Sequence, residues 1–298
     1  MSVALTSTPV PLSRRWRNRR RWTRVAGAGF AVVLLFWTLL PIYNMVLIAL
    51  NSDAPEFAGE IWPSGPGETD LSSFRSVWTE DYWMLEHFWY RFGNSVYMAV
   101  ATMLLTVLLG SLASFSLGRL RLRRGWMITD FALLTYVLPT TFLVIPFAHI
   151  MHQYGMADSL WSVIAAMVAF ATPYAILIFH QYGKLIPIEL DESAKIDGAS
   201  PWQIYCRLYM PLMAPALVAV GVYALMLAWN EYVYQLVLIT SERNTTVAVA
   251  LEQFFDTDEA PWNYMMAISI VYSLPPIAIY FGLRRYMVAG LTLGGVKG

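Results

Sequence analysis

Six stretches of the sequence are long and apolar enough to cross a lipid bilayer, and they constrain the fold more than any other feature. A membrane helix needs about 20 mostly apolar residues. The stretches run from Val25 to Leu50, from Ser95 to Leu117, from just after Asp130 to about Ile150, from Ser159 to Gly183, from Ala214 to Ile239 and from Pro261 to Leu283. Only 13% of the 298 residues are charged, against about 25% in a soluble domain. The sequence therefore predicts an all-α integral membrane protein with six transmembrane helices.

The basic residues indicate how this bundle is oriented. All but three of the 20 Lys and Arg residues fall in the N-terminal segment, in alternate loops or after the sixth stretch, and the exceptions are Arg75, Arg91 and Arg243. Short loops rich in Lys and Arg stay on the cytoplasmic side. Both termini are therefore predicted to be cytoplasmic, and the basic run in residues 1–24 is interpreted as a topology signal rather than a nucleic-acid-binding tail.

The cytoplasmic loop at residues 184–213 has the pattern of folded structure. Ile188 to Ile196 predicts a short helix, and Gly198 lies where helices often end in the left-handed conformation. Ser200 is placed as the N-cap of a second helix, Pro201 at its first position and Gln203 to complete a capping box.

The second short helix carries three apolar side chains, Trp202, Ile204 and Tyr205, and Pro211 is predicted to end it. Apolar side chains on a short exposed helix need a partner. The alternative is an interfacial helix that lies against the lipid headgroups.

A known family has a loop of this pattern. Glu192-Ser193-Ala194, three residues, Gly198, nine residues and Leu208-x-Met210-Pro211 resemble the E-A-A-x3-G-x9-I-x-L-P loop in permease subunits of bacterial binding-protein-dependent ATP-binding-cassette importers. The stretches that resemble the carbohydrate-uptake branch, and within it the smaller maltose permease subunit, are Trp229 to Tyr232, Ala267 to Pro275 and Gly290 to Gly298. The resemblance covers roughly residues 94–298.

The resemblance implies a permease subunit that forms half of a pathway for a sugar or related solute across the bacterial inner membrane. It implies three partners: a second homologous permease, an ATPase dimer and an extracytoplasmic solute-binding protein. ATP and Mg²⁺ would bind the ATPase, and this chain would be no enzyme and hold no cofactor. The chain divides into a basic segment (1–24), a first helix with an acidic outer loop (25–93) and a core permease domain (94–298).

The resemblance also implies functional residues in the cytoplasmic loop, where the second helix would be the coupling helix that fits a cleft on the ATPase. Glu192 would pair with a basic residue of the ATPase or fix the base of the loop. The expected coupling residues are Glu192, Ser193, Ala194, Asp197, Gly198, Ser200, Pro201, Trp202, Ile204 and Pro211.

Two further groups are predicted from their chemistry and position. A charged group inside a bilayer usually faces a cavity or a partner, so the solute pathway is expected at Trp229, Asn230, Glu231 and Tyr232. Alternatively, Glu231 pairs with the second permease and never meets the solute. The outer loop after the fifth stretch is expected to contact the binding protein through Gln253, Phe254 and Phe255, or else to lie passively on the bundle.

Other function classes lack their sequence signals. There is no G-x-x-x-x-G-K-[ST] phosphate loop, and no acid/base or metal constellation for an intramembrane enzyme, since His149 and His152 have no carboxylate partner nearby. A secondary transporter often contains internal repeats, and none is visible. The alternatives kept are a secondary transporter and a permease of another importer branch, for amino acids or phosphate.

Overall fold

The computed structural model describes residues 14–51, 70–120, 125–135, 138–256 and 261–294. Regular secondary structure in these ranges is essentially all helical. The helices are α1 (Arg14–Ala49), α2 (Ser72–Thr79), α3 (Phe88–Arg119), α4 (Gly125–Leu134), α5 (Val144–Gln153), α6 (Leu160–Gly183), α7 (Glu189–Ile196), α8 (Pro201–Ile204), α9 (Met210–Leu212), α10 (Ala214–Trp229), α11 (Val233–Leu238), α12 (Val247–Glu252) and α13 (Trp262–Gly294).

Four helical segments in the described ranges are long and apolar enough to cross a membrane. They are Trp22–Ala49, Trp83–Arg119, Leu160–Gly183 and Trp262–Tyr286. A bent pair, Pro201–Leu212 and Ala214–Trp229, gives a fifth candidate span, with an angle of 79° at the break. The first, second, fourth and sixth apolar stretches of the sequence are therefore confirmed as single helices.

The third apolar stretch is not one helix, and the prediction of a continuous helix there is wrong. Helix α4 ends at Leu134, and α5 begins at Val144 after a 3₁₀ turn at Thr140–Leu143. Pro139 explains where the second half starts, because proline has no N–H to donate and disfavours helical backbone in the residue before it.

The fifth apolar stretch is also interrupted. Helix α10 ends at Trp229, three residues follow, and α11 begins at Val233. Asn230 has φ −90° and ψ 6°, outside the helical region, and its side-chain amide bonds back to the Met226 carbonyl oxygen at 2.8 Å. Asparagine competes for backbone hydrogen bonds in this way at helix ends, so the predicted single helix is divided here.

The centre of the fold is formed by α3, α6 and α10, which pack against one another. The face of α3 that they bury carries small side chains, among them Ser95, Ala99, Thr102, Thr106 and Gly110. Small residues let helix backbones approach closely inside a membrane. The approach is close at Gly110, where an added Cβ would lie 2.6 Å from Ala175 Cβ.

Helix α13 covers α10 and also packs against α1 and α2. A second apolar cluster lies at the end of the molecule that includes α2 and α12. Its buried members include Val77, Leu85, Phe88, Val247, Phe254 and Ala267. This cluster holds the loop between α11 and α13 against the start of α3.

Candidate functional site

The loop between α6 and α10 contains the predicted helix, turn and helix. Gly198 has a φ of +82°, its N–H donates to the Lys195 carbonyl oxygen at 3.0 Å, and the Ala199 N–H donates to the Ala194 carbonyl oxygen at 2.9 Å. These two bonds and the left-handed glycine form a Schellman motif. The prediction that Gly198 ends the first short helix in a left-handed turn is confirmed.

The second short helix begins with the predicted capping box. The Gln203 N–H donates to Ser200 Oγ at 3.3 Å, and the Ser200 N–H donates to Gln203 Oε1 at 2.8 Å. Pro201 occupies the first helical turn, where its missing N–H costs nothing. Turn and cap together fix the direction in which α8 leaves the loop.

The side chains of α8 do not all face outward as expected. Trp202 is 62% exposed, but Ile204 and Tyr205 are only 3% and 4% exposed. Ile204 and Tyr205 pack in a cluster with Phe115 of α3 and Phe179 of α6. The expectation that Ile204 and Tyr205 are available to a partner is wrong in this structure, because a short amphipathic helix buries one face against the bundle.

Pro211 does not end the second helix, which is a further correction. The residues Tyr205–Tyr209 form a π-helical turn, closed by the Met210 N–H donating to the Tyr205 carbonyl oxygen, and α9 then carries the helix on to Leu212. A π turn is rare, occurs mostly as a single turn inside an α-helix and is frequent at functional sites. The wider turn lies immediately before Pro211, whose ring would crowd the carbonyl of Arg207 in a regular α-helix.

A buried ion pair that the sequence did not predict fixes the base of the loop. Arg119 Nε, at the end of α3, lies 3.2 Å from Asp191 Oδ2 in α7, and the two side chains are 8% and 4% exposed. Arg119 Nη2 also donates to the carbonyl oxygens of Gly183 and Ile186, at 3.2 and 2.9 Å. One arginine therefore ties α3, the end of α6 and α7 together.

The remaining predicted coupling residues differ in how far they are exposed. Glu192, Asp197, Ser200, Pro201 and Pro211 are exposed, and Ala194 is half-buried. Ser193 is exposed, and its hydroxyl donates to the Glu189 carbonyl oxygen at 2.8 Å. Asp191, rather than Glu192, holds the base of the loop. Asp191 and Ala194 share the inner face of α7, because residues three positions apart lie on the same face of a helix.

The break in the fifth apolar stretch is where the predicted pathway residues lie. Glu231 Oε1 accepts a hydrogen bond from the Tyr234 N–H at 2.7 Å, so its carboxylate satisfies a donor at the start of α11. The Tyr234 hydroxyl donates to the Thr140 carbonyl oxygen at 2.7 Å. The interruptions of the third and fifth stretches are therefore joined directly, through a contact at Thr140 that the sequence did not indicate.

Trp229 lies in the packed core and not on an open surface. It is 3% exposed and stacks on Tyr272, with ring centroids 4.7 Å apart. The Tyr272 hydroxyl donates to the Trp229 carbonyl oxygen at 2.6 Å. Asn230 is exposed and Tyr232 half-buried, so Asn230 is the more accessible of the predicted pathway residues.

The outer loop is attached to the first turns of α3. Asn94 Nδ2 donates to the carbonyl oxygens of Arg243 and Thr245, both at 2.9 Å, and the Val247 N–H donates to Ser95 Oγ at 3.2 Å. Among the predicted contact residues, Gln253 is exposed and Phe255 is 62% exposed, whereas Phe254 is fully buried. Phe254 is a core residue, so its prediction as an accessible contact is corrected.

A second anchor fixes the start of the same loop. Asp158 Oδ1 accepts hydrogen bonds from the Thr240 N–H at 2.9 Å, the Ser241 N–H at 2.8 Å and the Ser241 hydroxyl at 2.9 Å. These bonds, those from the backbone first, lower the pKa of Asp158 below its ordinary value. The carboxylate thus connects the turn before α6 to the chain that follows α11.

Comparison with known proteins agrees with this architecture. The family model for the binding-protein-dependent transport system inner membrane component matches residues 106–292. The Escherichia coli K12 inner membrane ABC transporter permease protein YcjP is 30% identical over 292 residues, covering 94% of this chain and 99% of that protein. The Mycobacterium tuberculosis trehalose transport system permease protein SugB is 29% identical, covering 88% of this chain and 93% of that protein.

A solved structure shows the same fold. A chain of a bacterial ABC transporter involved in the import of the acidic polysaccharide alginate superimposes with a TM-score of 0.74 at 21% identity, covering 94% of this chain and 99% of that one. The family model and the sequence relatives together define the class as membrane transport subunits. The chain belongs to the family of binding-protein-dependent transport system inner membrane components, and it is an ABC permease of the inner membrane.

Proposed function

We propose that this permease forms half of the translocation pathway for a sugar or related solute and is driven by a separate ATPase. Relatives named for arabinooligosaccharides, trehalose, diacetylchitobiose and lactose support the solute class. The pathway would be completed by a second homologous permease. An extracytoplasmic binding protein would deliver the solute, as in the alginate transporter that was solved with a periplasmic protein.

The observation that carries the proposal is the two-faced coupling segment, residues 189–212. Its inner face is anchored through Asp191, Ile204 and Tyr205, while two of its large apolar side chains keep more than half of their surface exposed. These are Ile196, 87% exposed, and Trp202, 62% exposed. Exposed aromatic and aliphatic groups on a rigid support are suited to a protein–protein contact, and we assign this surface to the ATPase, which would bind ATP and Mg²⁺.

The membrane arrangement proposed for the chain has six crossings and both termini in the cytoplasm. The third crossing would consist of α4 and α5 with the interruption between them, and the fifth of α10 and α11. Irregular backbone at membrane depth is tolerated where it is buried in protein or lines a water-filled cavity. This favours a solute pathway beside the two interruptions, with Asn230 and Glu231 as its candidate polar contacts.

Cys206 allows a direct test, because it is the single cysteine of the chain and is exposed in the coupling segment. In inverted membrane vesicles, a membrane-impermeant maleimide should label Cys206, and addition of the purified ATPase should slow the labelling. A matched control is Tyr154→Cys in a Cys206→Ser background, since Tyr154 is 76% exposed in the turn after α5. The cysteine of this control should react with the maleimide only from the extracytoplasmic side, and the ATPase should not change its labelling rate.

Two results would contradict the proposal. Labelling of Cys206 from outside intact cells would mean that the coupling segment lies on the outer side of the membrane, opposite to the proposed topology. The second result is an equal labelling rate with and without a saturating amount of ATPase, in vesicles where the ATPase is shown to bind. It would mean that the coupling segment does not contact the ATPase.

A further inference from the structure

We propose that α3 is a rigid strut that transmits movement between the coupling segment on one side of the membrane and the outer loop on the other. Tyr205 and Tyr209 of the π turn are the positioning residues at its inner end, and Asn94 is the positioning residue at its outer end. This inference rests on the proposed function, since it takes the coupling segment as the ATPase contact.

Two side-chain hydrogen bonds join the π turn to α3. Tyr205 and Ser111 share a hydrogen bond of 2.8 Å between their hydroxyls, and Tyr209 and Ser114 share one of 3.1 Å. All four side chains are at most 4% exposed. Hydrogen bonds between buried hydroxyls are costly to leave unmade, so the π turn and α3 should move together.

Stacked rings continue this connection to the exposed surface. Trp202 stacks on Tyr205 with centroids 5.2 Å apart, and Tyr205 stacks on Tyr209 at 6.3 Å. Phe115 of α3 meets the edges of both tyrosine rings, at 5.3 and 5.2 Å. A force applied to Trp202 would therefore reach α3 through close-packed rings, which resist compression.

The direct continuation of the chain is a poorer route. The helix through the coupling segment meets α10 at 79°, so a push along the coupling segment is not directed along α10. The π turn instead presents both tyrosine hydroxyls sideways to α3. Arg119, the last residue of α3, adds a further link, because it pairs with Asp191 of the coupling segment.

The opposite end of α3 holds the outer loop through Asn94 and Ser95, whose bonds to Arg243, Thr245 and Val247 are described above. Helix α3 has 32 residues, which corresponds to a length of about 48 Å. It has no proline, and prolines are a main cause of kinks. One unbroken helix therefore has the coupling segment bonded to one end and the outer loop to the other.

The test uses the whole complex of both permeases and the ATPase in liposomes, with the sugar-loaded binding protein. Two double variants remove the inner hydrogen bonds from either side: Tyr205→Phe with Tyr209→Phe, and Ser111→Ala with Ser114→Ala. Each hydrogen bond contributes an amount that corresponds to about a twofold to tenfold effect. We expect each double variant to lower the solute transported per ATP hydrolysed by about that factor or more.

A control variant lies on the same helix. Ser116→Ala also removes a hydroxyl, but Ser116 Oγ donates only within α3, to the Leu112 carbonyl oxygen at 2.9 Å. It should leave the ratio of transport to hydrolysis unchanged. If the tyrosine variants fail to assemble, the serine variants decide the question, because their side chains lie on α3 and away from the exposed ATPase surface.

The outer end is tested by Asn94→Ala, alone and combined with the Ser111→Ala, Ser114→Ala pair. If α3 is one strut, Asn94→Ala should lower the solute transported per ATP by less than a further twofold once the inner hydrogen bonds have already been removed. An unchanged transport ratio in both inner double variants, or fully multiplicative losses from the two ends, would overturn the strut. A wild-type complex whose ATPase does not bind this chain would instead refute the proposed function.

Discussion

Arg119 and Asp191 form a buried ion pair between the end of α3 and the coupling segment, with Nε and Oδ2 3.2 Å apart. The sequence presents Arg119 as one of several loop arginines and Asp191 as one of several acids in a short helix. Their pairing gives Arg119 a structural role besides the topology signal that the sequence predicts for it. It holds the base of the loop in a fixed position relative to three helices.

Removing one partner of this pair should be strongly destabilising, because the other charge is then buried without compensation. Asp191→Asn is expected to lower the free energy of unfolding by about 3 kcal/mol or more, measured by thermal melting of the purified protein in detergent. Arg119→Met combined with Asp191→Leu should be more stable than either single variant. Glu192→Gln, at the neighbouring exposed acid, should change stability by less than about 0.5 kcal/mol. Equal losses for Asp191→Asn and Glu192→Gln would contradict the anchor.

Gly198 should be required for coupling rather than for general stability. Its φ of +82° is unfavourable for any residue with a Cβ, although an added Cβ would meet nothing within 4 Å. Gly198→Val should therefore cost about 1–2 kcal/mol through the backbone alone. Gly155, with a φ of +66° and equally open surroundings, is the matched control. Gly198→Val and Gly155→Val should melt at similar temperatures, but only Gly198→Val should reduce the solute transported per ATP. Equal transport per ATP in the two variants would mean that the turn at Gly198 does not direct α8.

How much of the fold can be predicted from the sequence depends on whether local or tertiary interactions decide it. Hydropathy and length identify α1, α3, α6 and α13, but only α6 has both ends where they were predicted, since α1 and α3 begin earlier and α13 ends later. The turn at Gly198 and the capping box at Ser200 and Gln203 are also predictable, because their hydrogen bonds lie within a few residues of each other. The interruptions of the third and fifth stretches are not, since hydropathy continues across them.

The site divides in the same way. The exposure of Trp202 is predicted from the loop sequence, but the burial of Ile204 and Tyr205 is not. The Tyr205–Ser111 and Tyr209–Ser114 pairs join residues more than 90 positions apart in the sequence. No local pattern contains such a pair. The burial of Phe254 beside exposed Phe255 is likewise decided by the cluster formed with α2 and α3.

The close approach of α3 and α6 makes a specific prediction at Gly110. A methyl group there would lie 2.6 Å from Ala175 Cβ and 3.3 Å from the Phe179 ring, so Gly110→Ala should cost about 1–3 kcal/mol by overpacking. Ala175→Gly should restore part of that loss in the double variant. Gly93→Ala on the same helix meets open space and should be neutral or stabilising by up to about 1 kcal/mol. Identical melting of the two alanine variants would show that the helices are not in such close contact.

Asp158 should make the attachment of the outer loop depend on pH. Its hydrogen bonds to Thr240 and Ser241 lower the pKa of the carboxyl group in the folded state. Its stabilising effect is therefore complete above the ordinary Asp pKa of about 3.9 and is lost as the pH falls through the lower folded value. The difference in melting temperature between the protein and Asp158→Asn should be constant near neutral pH and shrink below about pH 4. A difference that stays the same down to pH 2 would contradict this assignment.

The outer loop offers one exposed aromatic side chain, Phe255, beside a buried one. Phe255 packs edge-on against Trp262, with centroids 5.6 Å apart, and keeps 62% of its surface exposed. If Phe255 inserts into the binding protein, Phe255→Ser should raise the concentration of sugar-loaded binding protein that half-saturates ATPase stimulation about tenfold. This factor corresponds to losing an aromatic contact worth about 1.4 kcal/mol.

Two further variants separate contact from folding. Phe254→Ser removes a fully buried ring and should lower the free energy of unfolding by about 3–5 kcal/mol, whereas Phe255→Ser should not. Tyr154→Ser removes another exposed aromatic ring, 76% accessible in the turn after α5, and should leave stimulation unchanged. The measurement is ATPase rate in liposomes across a full titration of the binding protein. Superimposable titrations for the protein and Phe255→Ser would leave the loop a passive connection between α11 and α13, because the one aromatic side chain that it exposes would then contribute nothing to docking.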